Sequence, residues 1–212
     1  MAAIVGKVYL HGIAPQRKRI SMAADPKCQQ MHTDAPVFSE TVLTNQDGTL
    51  QNVFVYVKNG LEDFKFLPPR TPVTLEQQGC IFRPHVLGMM TRQPLEIVNS
   101  DDTLHRIHAV TPINQGFNIG QPNRGMQTVR TFTKPEVMIR VKCEVHPWMS
   151  AYIGVLDHPY FSVTGTNGSF EINGLPAGNY VVEAWHEVYG VQSLELAVDG
   201  AQTNEIAFAF GD

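Results

Sequence analysis

The sequence predicts an all-β protein built from β-sandwiches, and three observations support this. Short runs rich in β-branched and aromatic residues alternate apolar with polar positions, as half-buried strands do. Clusters of turn-forming residues separate these runs. No segment carries a long apolar stripe at the helical period of about 3.6 residues. Many short strands with regular turns are typical of a sandwich or barrel.

Strand signals extend along most of the 212 residues. The predicted strands are GKVYL (6–10), VFVYV (53–57), LEIV (95–98), VMIRVKC (137–143), GSFEI (168–172), NYVVEAWHE (179–187), SLELAV (193–198) and NEIAFAF (204–210). Turn clusters include NQDG (45–48), TGTNG (164–168) and LPAG (175–178). Residues 14–40, with three prolines, predict a long loop, which usually has a function or an anchor.

Composition and charge exclude several classes of protein. Hydrophobic residues make up 43% and charged residues 17%, which indicates a globular chain rather than a disordered one. The formal net charge of −4 gives no basic surface for nucleic acid. No apolar run reaches the roughly 18 residues of a membrane span. The first residues lack the pattern of a signal peptide, so we expect that any export signal is absent from this chain.

One short loop gathers three soft metal donors. In VKCEVHPWMSAYIGVL, the residues Cys143, His146 and Met149 fall within seven positions. Alternation in the preceding strand predicts one inward face, made of Val137, Ile139, Val141 and Cys143. Cys143 should therefore point inward at the end of its strand, with His146 and Met149 on the loop that follows.

A further donor is expected from a neighbouring strand. The stretch LEIVNSDDTLHRIHAV offers His105 and His108 after a polar turn. Two imidazoles, one thiolate and a weak thioether are typical of a blue-copper electron-transfer site. Zinc prefers a tetrahedral site without a thioether, so Met149 argues against it.

These motifs resemble those of cupredoxins, the type 1 copper proteins, over roughly Thr71–Leu156. FRPHVLGMMTRQPLEIVNSDDTLHRIHAV is similar to the family's strand leading to the first copper histidine. RTFTKPEVMIRVKCEVHPWM is similar to its closing hairpin, with the short ligand loop of the amicyanin type. The resemblance implies one copper ion per chain. The implied ligands are His105, Cys143, His146 and Met149.

Three neighbouring positions refine this resemblance. His108 corresponds to a second histidine that is not a ligand. Arg106 stands where the family usually has Asn, and Glu136 stands where it usually has Gly. These departures concern the tuning of the site more than copper binding itself. The second copper centre of some relatives is excluded, because it needs two cysteines in the ligand loop.

The resemblance implies a one-electron carrier outside the cytoplasm, in the periplasm or a comparable compartment, rather than an enzyme. Its partners would be redox proteins such as a cytochrome, an oxidase or a dehydrogenase. His146, with Trp148 beside it, is the expected exit for the electron. The alternative is a copper-binding, delivery or docking module without a carrier role.

The two remaining cysteines, Cys28 and Cys80, leave alternatives open. A disulfide between them is preferred and would imply an oxidising compartment. Two unpaired cysteines are the simpler alternative. A second metal site built from Cys28, His32 and His85 is a further alternative, which would suit an enzyme.

The C-terminal part has a second resemblance. TGTNGSFEINGLPAGNYVVEAWHEVYG and the strands after it are similar to the carboxypeptidase regulatory-like, transthyretin-type β-sandwich. That family's first two strands are missing here, and GKVYLHG and LQNVFVYVKNG near the N-terminus match their character. We therefore expect N-terminal strands in 1–66, a cupredoxin Greek-key sandwich in 67–157 and the second half of a smaller regulatory-like sandwich in 158–212. Two tandem domains are the alternative.

Overall fold

The all-β class predicted from the sequence is confirmed. A computed structural model describes residues 1–200 and 202–211. This part of the chain forms sixteen strands and one short helix. No helix within it has both the length and the apolar character needed to cross a membrane.

The elements are numbered in chain order. They are β1 (Ala2–Leu10), α1 (Pro26–Gln30), β2 (Phe54–Asn59), β3 (Val73–Gln77), β4 (Phe82–Arg83), β5 (Val86–Met90), β6 (Leu95–Asn99), β7 (His105–Val110), β8 (Phe117–Gln121), β9 (Gln127–Arg130), β10 (Glu136–Cys143), β11 (Ser150–Leu156), β12 (Phe161–Val163), β13 (Ser169–Leu175), β14 (Gly178–His186), β15 (Gly190–Val198) and β16 (Thr203–Phe210).

The chain divides into two compact units. The first unit comprises Met1–Arg17, Glu40–Lys65 and Pro159–Asp212, and the second comprises Lys18–Ser39 and Phe66–His158. The chain thus leaves the first unit twice and returns to it each time.

In the first unit, strands from both ends of the chain pair with each other. One sheet has the order β13-β1-β16, with β1 antiparallel to β13 and parallel to β16. The other has the order β12-β2-β14-β15. The buried interior of the first unit includes side chains from both sheets, such as Ile4, Val57, Phe170 and Phe210. The N-terminal strands are therefore integral to a unit that is otherwise C-terminal.

The second unit is a β-sandwich. A five-stranded sheet has the order β5-β11-β10-β7-β8, and a four-stranded sheet has the order β4-β3-β6-β9. Both sheets contribute fully buried side chains to one core, including Leu75 and Ile97 from one sheet and Ile107 and Val141 from the other. Burial of these apolar surfaces against each other holds the two sheets together.

The segment Lys18–Ser39, here called the covering segment, departs from the expected division of the chain. We expected it to accompany the N-terminal strands, but it belongs to the second unit. Met22 and Cys28 from this segment are buried in the sandwich core, and Cys28 forms a disulfide with Cys80. The covering segment also contains α1, where the sequence predicted only loop. Asp25 as N-cap and Pro26 in the first turn are typical helix-start signals.

Candidate metal centre

Strand β10 delivers Cys143 to the interior of the sandwich. Ile139, Val141 and Cys143 are buried in alternation, as the sequence predicted. Val137 was predicted to share that face, but it is only half-buried and Glu136 takes the buried position. The pairing with β11 shifts register between Glu136 and Ile139, and such an irregularity reverses the faces on which side chains lie.

The loop from Cys143 to Met149 is closed by backbone hydrogen bonds. The Met149 amide donates to the His146 carbonyl at 3.0 Å, and the Cys143 amide donates to the Met149 carbonyl at 3.3 Å. The Met149 side chain is 1% exposed and lies in the same core cluster as Cys143. The loop therefore holds His146 and Met149 on the buried side of the β10–β11 hairpin.

Strand β7 supplies the histidine from the second segment. His105 is 0% exposed, whereas His108 lies on the opposite face of the strand. There the Nδ1 atom of His108 pairs with Glu144 at 2.5 Å. Pairing of β7 with β10 sets Ile107 opposite Cys143. The strand period of two residues then gives His105 and Cys143 the same inward direction.

Three donor atoms converge in the core. The Nδ1 atoms of His105 and His146 lie 3.1 Å apart. The Sγ atom of Cys143 lies 3.7 Å from Nδ1 of His146 and 3.9 Å from Nδ1 of His105. All three side chains are buried. Because metal–nitrogen bonds in such sites are about 2 Å long, donors at these separations can share one ion.

A carboxylate faces the other ring nitrogen of each histidine. Asp101 Oδ2 lies 3.0 Å from Nε2 of His105, and Asp25 Oδ2 lies 3.0 Å from Nε2 of His146. A carboxylate only accepts hydrogen bonds, so Nε2 of each ring is the donor. Nδ1 of each ring then faces Cys143, with a lone pair when the ring is neutral and with an N–H that donates to the thiolate when the ring is protonated. Two lone pairs 3.1 Å apart need a shared proton or a cation between them, so the donor set fits a metal ion.

Asp101 is held in place by a tight turn between β3 and β4. Gly79 and Cys80 have φ values of +66° and +55°. Two consecutive positive φ angles are typical of a two-residue hairpin turn. The turn directs both amides at Asp101, which accepts from Gly79 N at 2.7 Å and from Cys80 N at 2.7 Å. The sequence pattern placed Asp101 only within the polar turn that precedes His105.

Asp25 is held by the covering segment. Its Oδ1 atom accepts from the amides of Lys27 at 2.8 Å and Cys28 at 3.2 Å, which caps α1. Its Oδ2 atom faces His146 and also accepts from the Thr103 hydroxyl at 3.3 Å. Sequence reasoning missed Asp25, although an Asp before Pro and a bonded cysteine could have identified a capped and anchored turn.

The electrostatics of the cluster favour a thiolate. Burial alone would raise the pKa of Cys143, but hydrogen bonds from His105 and His146 outweigh it and lower that pKa to about 5. Burial opposes charge on both imidazoles as well. Hydrogen bonds to Asp101 and Cys143 nevertheless raise the pKa of His105, and bonds to Cys143 and Asp25 raise the pKa of His146. A thiolate is the form of cysteine that binds metals.

His146, the expected exit for the electron, has a buried side chain that is only 1% exposed. The Sγ atom of Cys28 lies 3.5 Å from His146 Nε2. The Trp148 ring packs against the imidazole with a centroid distance of 5.1 Å, and its Nε1–H donates to the Cys80 carbonyl. The covering segment and Trp148 therefore separate His146 from solvent.

The residues of the alternative second metal site do not come together in the described part of the chain. Cys28 is bonded to Cys80, so it offers no thiolate. His32 Nε2 lies 2.7 Å from the Gly79 carbonyl. His85 Nδ1 lies 3.1 Å from the Ser150 carbonyl. Each of these residues has a structural partner of its own.

Solved structures similar to this chain include copper proteins. A Cu-containing nitrite reductase (NirK) from Thermus scotoductus SA-01 is 26% identical with a TM-score of 0.36, over 42% of this chain and 23% of that one. A purple cupredoxin from Nitrosopumilus maritimus is 17% identical with a TM-score of 0.34, over 39% of this chain and 97% of that one. Amicyanin from Paracoccus versutus is 16% identical with a TM-score of 0.36, over 41% and 83%.

No family model and no curated protein matches the chain. The solved structures named above match 39–42% of this chain. The matched part spans 23% of the nitrite reductase chain.

Proposed function

We propose that the second unit binds one type 1 copper ion and that the protein carries single electrons. The observation that carries this proposal is the convergence of two imidazole Nδ1 atoms and the thiol sulfur of Cys143 within 3.9 Å in the buried core. The proposed ligands are His105, Cys143, His146 and Met149. Copper bound there would alternate between Cu(II) and Cu(I), which is one-electron chemistry.

The chemistry of the donors favours copper over other metals. Thiolate and thioether groups suit Cu(I), and imidazole suits both oxidation states. Met149 is buried in the same core cluster and would supply the weak thioether donor. The Arg106 amide lies 3.5 Å from the Cys143 sulfur, and a donor at this position tunes the sulfur's electron density.

The burial of the cluster supports a carrier more than a delivery protein. His105, Cys143 and His146 are each at most 3% exposed. A metal ion that has to leave through a packed core and a disulfide-linked segment should exchange slowly. A copper-delivery module needs an accessible ligand set, and it is therefore the second candidate.

The compartment, the partners and the first unit are part of the proposal. The disulfide between Cys28 and Cys80 supports an oxidising, extracytoplasmic location such as the periplasm. Redox proteins such as a cytochrome, an oxidase or a dehydrogenase are the proposed partners. We propose that the first unit is a carboxypeptidase regulatory-like sandwich, supported by its pairing of N-terminal with C-terminal strands.

The test is copper titration of the full chain, followed by visible and electron paramagnetic resonance spectra. One equivalent of Cu(II) should produce an intense thiolate-to-copper charge-transfer band. Cys143→Ser should abolish that band, whereas His108→Asn should retain it, because His108 lies on the opposite face of β7. A colourless Cu(II) complex of the unmodified protein would contradict the proposal.

Reversibility separates the carrier from the delivery module. A carrier should pass repeatedly between Cu(II) and Cu(I) without losing metal to a chelator of moderate affinity. If the chelator removes the copper within the time of one redox cycle, the delivery function is the better account.

A further inference from the structure

We infer that the covering segment is part of the metal centre, and that Asp25 is a positioning residue that fixes His146 for the metal. This inference rests on the proposed copper function and adds a residue outside the four proposed ligands. Asp25 lies far from them in sequence, on a segment that belongs to neither sheet of the sandwich.

Asp25 sets the direction in which the His146 imidazole faces. Asp25 Oδ2 lies 3.0 Å from Nε2 of His146, while Nδ1 of the same ring lies 3.7 Å from the Cys143 sulfur. The carboxylate can only accept, so it keeps the proton on Nε2 and the lone pair on Nδ1. A carboxylate in this position also raises the basicity of a metal-bound histidine.

Asp25 is itself held in place by the covering segment. Its other oxygen caps α1 by accepting from the Lys27 and Cys28 amides. Cys28 is tied to Cys80 by the disulfide, and the Lys27 ammonium donates to the Asp102 carbonyl at 2.6 Å. The carboxylate therefore has little freedom to leave His146.

Each of the two histidines faces a carboxylate that is hydrogen-bonded to one end of the same disulfide. Asp25 is hydrogen-bonded to the amide of Cys28 and faces His146. Asp101 is hydrogen-bonded to the amide of Cys80 and faces His105. The disulfide thus links the supports of both imidazoles, which gives the covering segment a role beyond closing the core.

Asp25→Ser is the informative variant. Ser caps a helix about as well as Asp, so α1 should be preserved, but its short neutral side chain cannot supply the carboxylate. Loss of such a partner typically costs 10–100-fold in metal affinity. Loss of a negative charge should weaken Cu(II) more than Cu(I). A tenfold difference between the two raises the reduction potential by about 59 mV.

Two further variants complete the set. Asp25→Asn keeps the size of the side chain, but its single carbonyl oxygen can accept from either the helix cap or His146. Its copper affinity and reduction potential should therefore shift in the same directions as those of Asp25→Ser. Asp102→Asn is the charge-matched control, since it removes one negative charge from an exposed residue of the neighbouring turn. The copper affinity of that control should stay within about twofold of the parent, and its reduction potential should show no measurable shift.

A second measurement needs no copper. In the metal-free, 15N-histidine-labelled protein, the Nε2 proton of His146 should be protected from solvent exchange in the parent and in Asp102→Asn. It should exchange rapidly in Asp25→Ser. Equal protection in Asp25→Ser and Asp102→Asn would overturn the inference.

The failures are distinguishable. If the parent binds no copper with a thiolate band, the proposed function fails, while the exchange measurement still decides whether Asp25 holds His146. If the parent is blue and Asp25→Ser matches Asp102→Asn in affinity and potential, the function stands and the positioning role of Asp25 is wrong.

Discussion

The Sγ atom of Cys28 lies 3.5 Å from the Nε2 atom of His146. A disulfide thus touches the ring of a proposed metal ligand, and that ring meets the Cys143 thiol on its other side. The packing of the covering segment and the environment of the metal centre are therefore linked through the side chain of His146.

Removing the disulfide should destabilise the second unit and open its metal centre. The Cys28–Cys80 bond closes a loop with a sequence separation of 52 residues. Loop-closure entropy then predicts that Cys28→Ala/Cys80→Ala lowers the free energy of unfolding by about 4 kcal/mol. Copper should also pass faster to a chelator, because His146 loses its cover. Urea unfolding measures the loss of stability, and the rate of copper transfer to a chelator measures the opening of the metal centre. An unchanged transfer rate would argue against the covering role.

Met149→Leu should raise the reduction potential and leave copper bound. Even a weak electron-pair donor stabilises the more highly charged Cu(II) more than a hydrocarbon side chain does, so replacing the thioether by leucine should favour Cu(I). The two side chains have similar volumes, so the stability cost should stay below about 1.5 kcal/mol. A tenfold shift towards Cu(I) corresponds to about 59 mV. The matched control is Met89→Leu in β5, which lies in the same core. Equal potentials for the two variants would exclude Met149 as a ligand.

The Cys143 thiol should ionise in mildly acidic solution in the metal-free protein. Hydrogen bonds from His105 and His146 overcome the effect of burial and bring the pKa of Cys143 to about 5. Thiolate absorbance in the ultraviolet should therefore persist at neutral pH and disappear with a midpoint near this value. Within the described chain Cys143 is the free cysteine, so the signal is assigned without ambiguity. A midpoint near the ordinary cysteine value of about 8.5 would contradict the cluster geometry.

Glu183 should stabilise the first unit in a pH-dependent way. Burial opposes its charge, but hydrogen bonds from Lys58, Tyr56 and Ser193 lower the pKa of Glu183 below its ordinary value. A lowered folded-state pKa means that the stabilisation is present above the unfolded-state value of about 4.3 and is lost as the pH falls through the folded-state value. Glu183→Gln should therefore cost about 2 kcal/mol at pH 7 and progressively less in acid.

That prediction can be measured through the fluorescence of Trp185 on β14, in a Trp148→Phe background that removes the other tryptophan. Glu195→Gln is the control, because Glu195 is exposed on β15. A Glu183→Gln deficit that does not change between neutral and acidic pH would show that ionisation of Glu183 is not the cause.

Local pattern was sufficient for much of the fold. The alternation of apolar residues predicted β6 and β10, because a half-buried strand must place alternate side chains in the core. The short spacing of Cys143, His146 and Met149 likewise reflects a single hairpin loop, whose geometry depends on few residues. The register shift between Glu136 and Ile139 escaped prediction, since it depends on the pairing with β11.

Some contacts between distant segments were expected, such as the Cys28–Cys80 disulfide, but others could not be predicted. Asp25 and His146 are separated by 121 positions, and nothing in either stretch indicates that they meet. The burial of His146 has the same origin, because the residues that cover it lie on the segment Lys18–Ser39. The sequence pattern showed that segment only as an irregular loop with several prolines.

The sequence by itself determined the all-β class, the positions of most strands and the soft donors on the β10–β11 loop. These features depend on interactions between residues that are near each other along the chain. Only the tertiary structure decided which carboxylates hold the two imidazoles, and that the covering segment closes over His146. The physical reason is that burial and hydrogen bonding depend on distance in space, which the packing of two sheets and one disulfide sets.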